Sequence, residues 1–180
     1  LTASRLTDGE IALSAEDAQA RLAAIGYVDP GRALTHISSL TEGISRRARI
    51  QRQLLPAMLE WFADGIDPDL GLLAFRRLSD TIGSAHWYLG LLRDSGLAAK
   101  RLTRVLSASR YVGEHLEQIP EAVRWLARDE QLRPLSRDAP GREFLAVITR
   151  VDTVEEARDV LRRTRSRELL RIALAHLSAV

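Results

Sequence analysis

Apolar residues recur at intervals of three and four along most of this chain, and glycine, proline and small polar residues break the pattern at close intervals. That is the pattern of short amphipathic helices; no stretch alternates with the two-residue period of a strand. The pattern is densest from Asp67 to Leu126. Asp67 is an N-cap with Pro68 at the first helical position, where its missing N–H costs nothing. Leu70, Leu73, Ala74, Leu78 and Ile82 then predict one apolar face, and Gly83 a left-handed stop. Ser84 is read as the next cap, opening a helix with Trp87, Tyr88, Leu91 and Leu92 on adjoining faces and Gly96 as its end. A helix from Leu97 to about Leu106 presents Leu97, Arg101 or Leu102, and Val105. Ser107 or Ser109 opens another, with Val112, Leu116 and Ile119 inside, and Pro120 starts one carrying Val123 and Leu126. No piece is long enough to be stable alone in water, so packing must stabilise them.

The flanks follow the same logic. Residues 1–13 read as an extended polar lead-in. Ser14, with Glu16 and Asp17 in its first turn, opens a helix that turns Leu22 and Ile25 inward and ends at Gly26. Asp29-Pro30 repeats the capping device for a helix of Ala33, Leu34, Ile37 and Leu40, closed by Gly43. Ser45 begins a longer helix of Ile50, Leu54, Ala57, Met58 and Trp61, with a kink expected at Pro56 and an end at Gly65. Residues 128–140 read as a loop, and 143–149 as a short helix bearing Phe144, Leu145 and Ile148. The last helix starts at Thr153, where Glu156 completes a capping box, and runs to His176 or beyond. Its expected stripes are Val154, Ala157, Leu161 and Thr164, then Leu169, Ile172, Ala173 and Leu177. The fold expected is an all-α bundle of about nine or ten short helices, packed as one domain: a lead-in over 1–44, a central bundle over 45–130, and a loop with C-terminal helices over 131–180.

Composition sharpens this picture. Aromatic residues make up only 5% of the chain, so Leu and Ala must fill most of the core, with Trp61, Trp87 and Trp125 as its anchors. With no cysteine, disulfides and thiolate metal sites are excluded and a cytoplasmic setting is expected. No apolar run reaches the length of a membrane span. The first residues carry neither an initiator Met nor the apolar stretch of a signal peptide, so the chain reads as a piece of a longer one.

Candidate chemistry is sparse. His36, His86, His115 and His176 never fall three or four residues apart, which argues against a zinc site. Gly83-Ser84 is followed by no acidic pair, and Asp67-Pro68-Asp69 has the letters of one but opens a helix. No phosphate-binding glycine loop occurs. The sequence therefore assigns no catalytic, cofactor-binding or metal-binding residue. The conspicuous charged feature is Arg162, Arg163, Arg165, Arg167 and Arg171. Its plain reading is a solvated face with intrahelical partners such as Asp159 to Arg163; its functional reading is a surface that docks an acidic partner or neighbouring domain. Nucleic acid is disfavoured, because the net charge is only +2 and no aromatic residues interleave for stacking.

Gly71-Leu72-Leu73-Ala74-Phe75-Arg76-Arg77-Leu78-Ser79, Trp87-Tyr88-Leu89, Leu91-Leu92-Arg93-Asp94 and Ser109-Arg110-Tyr111-Val112, in this order and spacing, resemble the central helical region of glutamine synthetase adenylyltransferase. The resemblance runs from about Asp29 to the C-terminus and covers no catalytic domain. It implies a non-catalytic regulatory segment between two nucleotidyltransferase domains of an enzyme that adds AMP to glutamine synthetase and removes it. The partners it implies are the flanking catalytic domains, glutamine synthetase and a signalling protein of the PII type. ATP and Mg²⁺ would belong to the parent enzyme and not to this segment. A free-standing helical adaptor that binds another protein is the alternative reading.

Overall fold

The computed structural model describes residues 8–133 and 153–178, with positions 141, 142, 145, 146, 149 and 151 between them. Among these residues all regular structure is helical: α1 (Asp8–Ala24), α2 (Pro30–Thr41), α3 (Arg46–Ala63), α4 (Pro68–Ile82), α5 (His86–Asp94), α6 (Gly96–Ala108), α7 (Arg110–Gln118), a 3₁₀ helix (Pro120–Ala127), α8 (Asp129–Leu132) and α9 (Val154–Ser178). The fold is the all-α bundle that the periodicity predicts.

Local chemistry explains most of the boundaries. Asp29 and Asp67 each accept a hydrogen bond from the backbone N–H three residues on, at Arg32 (3.0 Å) and Leu70 (2.9 Å). Ser45, Ser95 and Ser109 cap α3, α6 and α7 in the same way. Each bond satisfies one of the N–H groups that a helix start leaves unpaired. Thr153 does this for α9, receiving the Glu156 N–H at 3.2 Å. Gly26 and Gly43 adopt positive φ at the two expected stops.

Several boundaries differ from expectation. The first helix already includes Asp8, upstream of the expected start at Ser14. Gly83 is right-handed, with φ −63°. What requires glycine there is proximity, since a Cβ would collide with the Ser79 carbonyl oxygen and the Arg47 side chain. The cap of α5 is Ala85, which has no side-chain bond to give, and not Ser84. Gly96 opens α6 instead of ending α5. Ser95 serves both helices: its N–H closes α5 on the Leu91 carbonyl at 2.9 Å while its hydroxyl caps α6. The expected loop after Arg128 contains α8, which buries Leu132. The short helix expected over 143–149 falls largely outside the described residues.

The helix faces also rotate relative to the apolar stripes. In α4 the buried residues are Pro68, Gly71, Leu72, Ala74, Phe75, Leu78 and Ser79, while Leu70, Leu73 and Ile82 sit at the margin. In α9 they are Leu170, Leu174 and Ser178, and the expected Leu169 and Ile172 are exposed. Trp125 is buried; Trp61 and Trp87 are only half-buried. Tyr88, next to Trp87, is fully buried, as are Phe62 and Phe75.

Helix α6 is the centre of the molecule. It packs against α3, α4, α5, α7, the 3₁₀ helix and α9. It can be surrounded this way because Ala98, Ala99, Leu102, Thr103, Val105, Leu106 and Ser107 are all buried, and its small residues let neighbours approach closely. The Asp67 N–H reaches the Ser107 carbonyl at 3.2 Å, fixing the α3–α4 turn to the end of α6. One apolar core runs from Leu22 in α1 to Leu174 in α9.

Candidate functional site

The arginines of α9 do not form one uniform surface. Arg171 faces the bundle. Its guanidinium lies 4.6 Å from the centroid of the Trp125 ring, donates to the Gln131 carbonyl at 3.1 Å and pairs with Glu168 at 3.3 Å. Arg167 lies 5.8 Å from the same ring and 3.8 Å from Glu121. These two residues tie α9 to the 3₁₀ helix and α8. Their flat guanidinium groups suit the face of an indole. Arg162 is well exposed and, among the described residues, pairs with Asp159 at 3.8 Å. Arg163 and Arg165 are exposed and have no acidic partner among the described residues.

The outward arginines share their helix with exposed apolar side chains. Val154, Leu161, Leu169 and Ile172 are all at least 44% exposed. Leu161, Leu169 and Ile172, with Thr164, Arg165, Glu168 and Gly141, line a shallow, mostly apolar hollow of about 320 Å³. The N-terminal half of α9 therefore offers a basic and apolar face. The five-residue cluster read from sequence divides into three outward residues, Arg162, Arg163 and Arg165, and two that secure the helix.

The acidic candidates have structural work. Asp67 caps α4, and Asp69 accepts the Val28 and Asp29 N–H groups at 2.7 and 3.2 Å, holding the turn before α2. Among the described residues no group of three or more His, Asp or Glu side chains is placed to hold a metal ion. His36 lies on α2; burial, and then the positive charges of Arg76, Arg32 and Arg77, hold its pKa below the usual imidazole value. His115 on α7 sits against Tyr111, with Nδ1 3.0 Å from the Tyr111 carbonyl oxygen.

Sequence reasoning passed over a second feature, a cleft of about 490 Å³ where the end of α3, the following turn, α6 and the end of α9 meet. Trp61, Ile66, Ala108 and Leu177 supply apolar wall, and Asp64, Lys100, Arg104 and His176 supply charge or polarity. Its one sequence signal is the spacing of Lys100 and Arg104, four apart on α6. The cleft itself depends on helices distant in sequence.

Comparison with known proteins bears on the chain's sequence. The family model for glutamate-ammonia ligase adenylyltransferase matches residues 99–180. A bifunctional glutamine synthetase adenylyltransferase/adenylyl-removing enzyme of Leifsonia xyli is 57% identical over 167 residues, covering 93% of this chain and 17% of that protein. The proteins of the same name from Streptomyces coelicolor and Mycolicibacterium smegmatis are 48% and 44% identical, over 97% and 91% of this chain. In them the chain spans 18% and 17% of the length. No solved structure matches. By its sequence, then, the chain belongs to the glutamine synthetase adenylyltransferase family, as a helical segment matching less than a fifth of the length of these relatives.

Proposed function

We propose that this chain is the non-catalytic helical segment that joins and couples the catalytic halves of a glutamine synthetase adenylyltransferase. Relatives whose name carries two opposed activities contain this segment as a small part of their length. A bundle with a single core and a basic, apolar face on its last helix suits a part whose job is geometric: it holds two larger bodies in an arrangement that effectors can bias. The observation that carries the reading is the outward face of α9, where Arg162, Arg163 and Arg165 lie beside exposed Leu161 and Leu169. On this reading the catalytic halves bring ATP and Mg²⁺, glutamine synthetase is the substrate, and a PII-type protein acts on the parent enzyme as a whole.

The test replaces Arg162, Arg163 and Arg165 with Glu in the intact parent enzyme. Arg167 and Arg171 stay, because they hold α9 in place. Each separated catalytic half is expected to keep its activity, while effectors of one activity lose influence over the other. Adenylylation and adenylyl removal would be assayed with and without effectors, beside a thermal melt. Unchanged regulation in a stably folded variant would return the three arginines to a solvated face.

A further inference from the structure

The cleft between α3, α6 and α9 has a chemistry that the docking face does not share. Lys100 and Arg104 lie one turn apart on the side of α6 that lines it. Like charges at this spacing repel. Basic side chains nearby are matched: Arg101, between them in sequence, donates to the Leu126 carbonyl at 3.1 Å and pairs with Asp129 at 2.5 Å. Arg47 and Arg76 share Asp80, at 2.8 Å each. Lys100 and Arg104 have no acidic partner within pairing distance among the described residues, although Asp64 lines the same cleft. Thr103, one residue before Arg104, directs its hydroxyl to the Lys100 carbonyl at 2.7 Å, so it does not compete for them.

The opposite wall is apolar. Trp61 and Leu177 are half-buried, leaving surface free within the cleft, and Ile66 stands 82% exposed on its rim. The volume of about 490 Å³ lies within the range of small-molecule sites, which are mostly apolar with a few polar groups that fix orientation. We propose that this cleft is a binding site for a small organic anion, its apolar body against Trp61 and Leu177 and its negative group between Lys100 and Arg104. Such a ligand would bridge the α3–α4 turn and the end of α9. Because it would bind only the folded chain, it would also stabilise it.

The probe is 8-anilinonaphthalene-1-sulfonate, and its uncharged counterpart N-phenyl-1-naphthylamine is the control. The 180-residue chain should bind one sulfonate saturably. Lys100→Gln with Arg104→Gln should weaken that binding by about tenfold or more while changing affinity for the neutral probe by less than about twofold, since the charges act on the anionic group alone. Both replaced side chains are exposed, so the thermal melt of the variant should overlay that of the parent chain. Amide shifts on adding the sulfonate give a reading that needs no variant, and should centre on residues 61–66, 100–108 and 176–177. Equal sulfonate affinity in the double variant, equal loss of both probes, or shifts centred on residues 154–172 would each overturn the proposal.

Discussion

At the scale of single residues, the fold depends on a few buried polar contacts that look unremarkable in the sequence. Ser79 and Tyr88 meet through their hydroxyls at 3.1 Å, in a region where neither side chain touches solvent. Tyr88→Phe leaves the Ser79 hydroxyl without that partner. A urea melt should show a loss of about 1–3 kcal/mol, and adding Ser79→Ala should recover part of it, because removing both groups costs less than orphaning one. Burial also pushes the Tyr88 phenol well above the usual phenol range. The unfolded chain then releases this proton first as pH rises, so stability is fully present below about pH 10 and declines above it. Tyr88→Phe should remove that share of the alkaline loss in melts taken from pH 8 to 11. Trp87, expected in the core, instead lies at its margin under Arg124, whose guanidinium is 4.3 Å from the ring centroid. Periodicity placed the aromatic pair on the inner side of α5 but could not say which ring points inward.

At the scale of elements, capping is local chemistry and was largely legible. Asp29, Asp67, Ser45 and Thr153 cap where the sequence places them, and Ser109 is the one of two expected positions, Ser107 or Ser109, that caps α7. The exception is informative. Ser84 has the right side chain one residue too early, and Ser95 works at the α5–α6 join where Gly96 had suggested a stop. Ser95→Ala should therefore cost about 1 kcal/mol in a denaturant melt, within the usual range for a lost cap, while Ser84→Ala should change stability by less than about 0.5 kcal/mol. A larger effect at Ser84 than at Ser95 would contradict the observed boundary. The 3₁₀ helix shows a different limit. Ala122 with Trp125, and Val123 with Leu126, are buried pairs three residues apart. With three residues per turn, such pairs line up along the helix. The same spacing is acceptable to an α-helix, so the pattern alone does not separate the two.

At the scale of the molecule, α9 is two things in succession. Its C-terminal half enters the core through Leu170, Leu174 and Ser178, and Arg167 and Arg171 hold it against Trp125. From Val154 to Leu169 no residue is fully buried. Local opening is governed by buried contacts. Amides of residues 157–166 should therefore exchange with deuterium faster than those of 170–178, by about tenfold or more; uniform protection along the helix would show that its outer half is held as firmly as its inner half. Among the described residues no helix is long and apolar enough to cross a membrane. The outward face of this outer half of α9 is where the coupling proposal applies.

The sequence by itself determined the helical class, most of the caps and the family, because each depends on residues close together or on a run of identities. Tertiary structure decided which face of each helix is buried. The stripe of α4 turned toward Phe75 and that of α9 shifted from Leu169 to Leu170, since a helix with apolar residues on more than one side orients by what it packs against. Only the assembled bundle separated Arg167 and Arg171 from Arg162, Arg163 and Arg165. It did so by bringing Trp125, Glu121 and Gln131 to α9 from more than thirty residues away. The cleft of Lys100 and Arg104 arose in the same way. One wall comes from α3 and another from the end of α9, and no local pattern records that they meet on either side of α6.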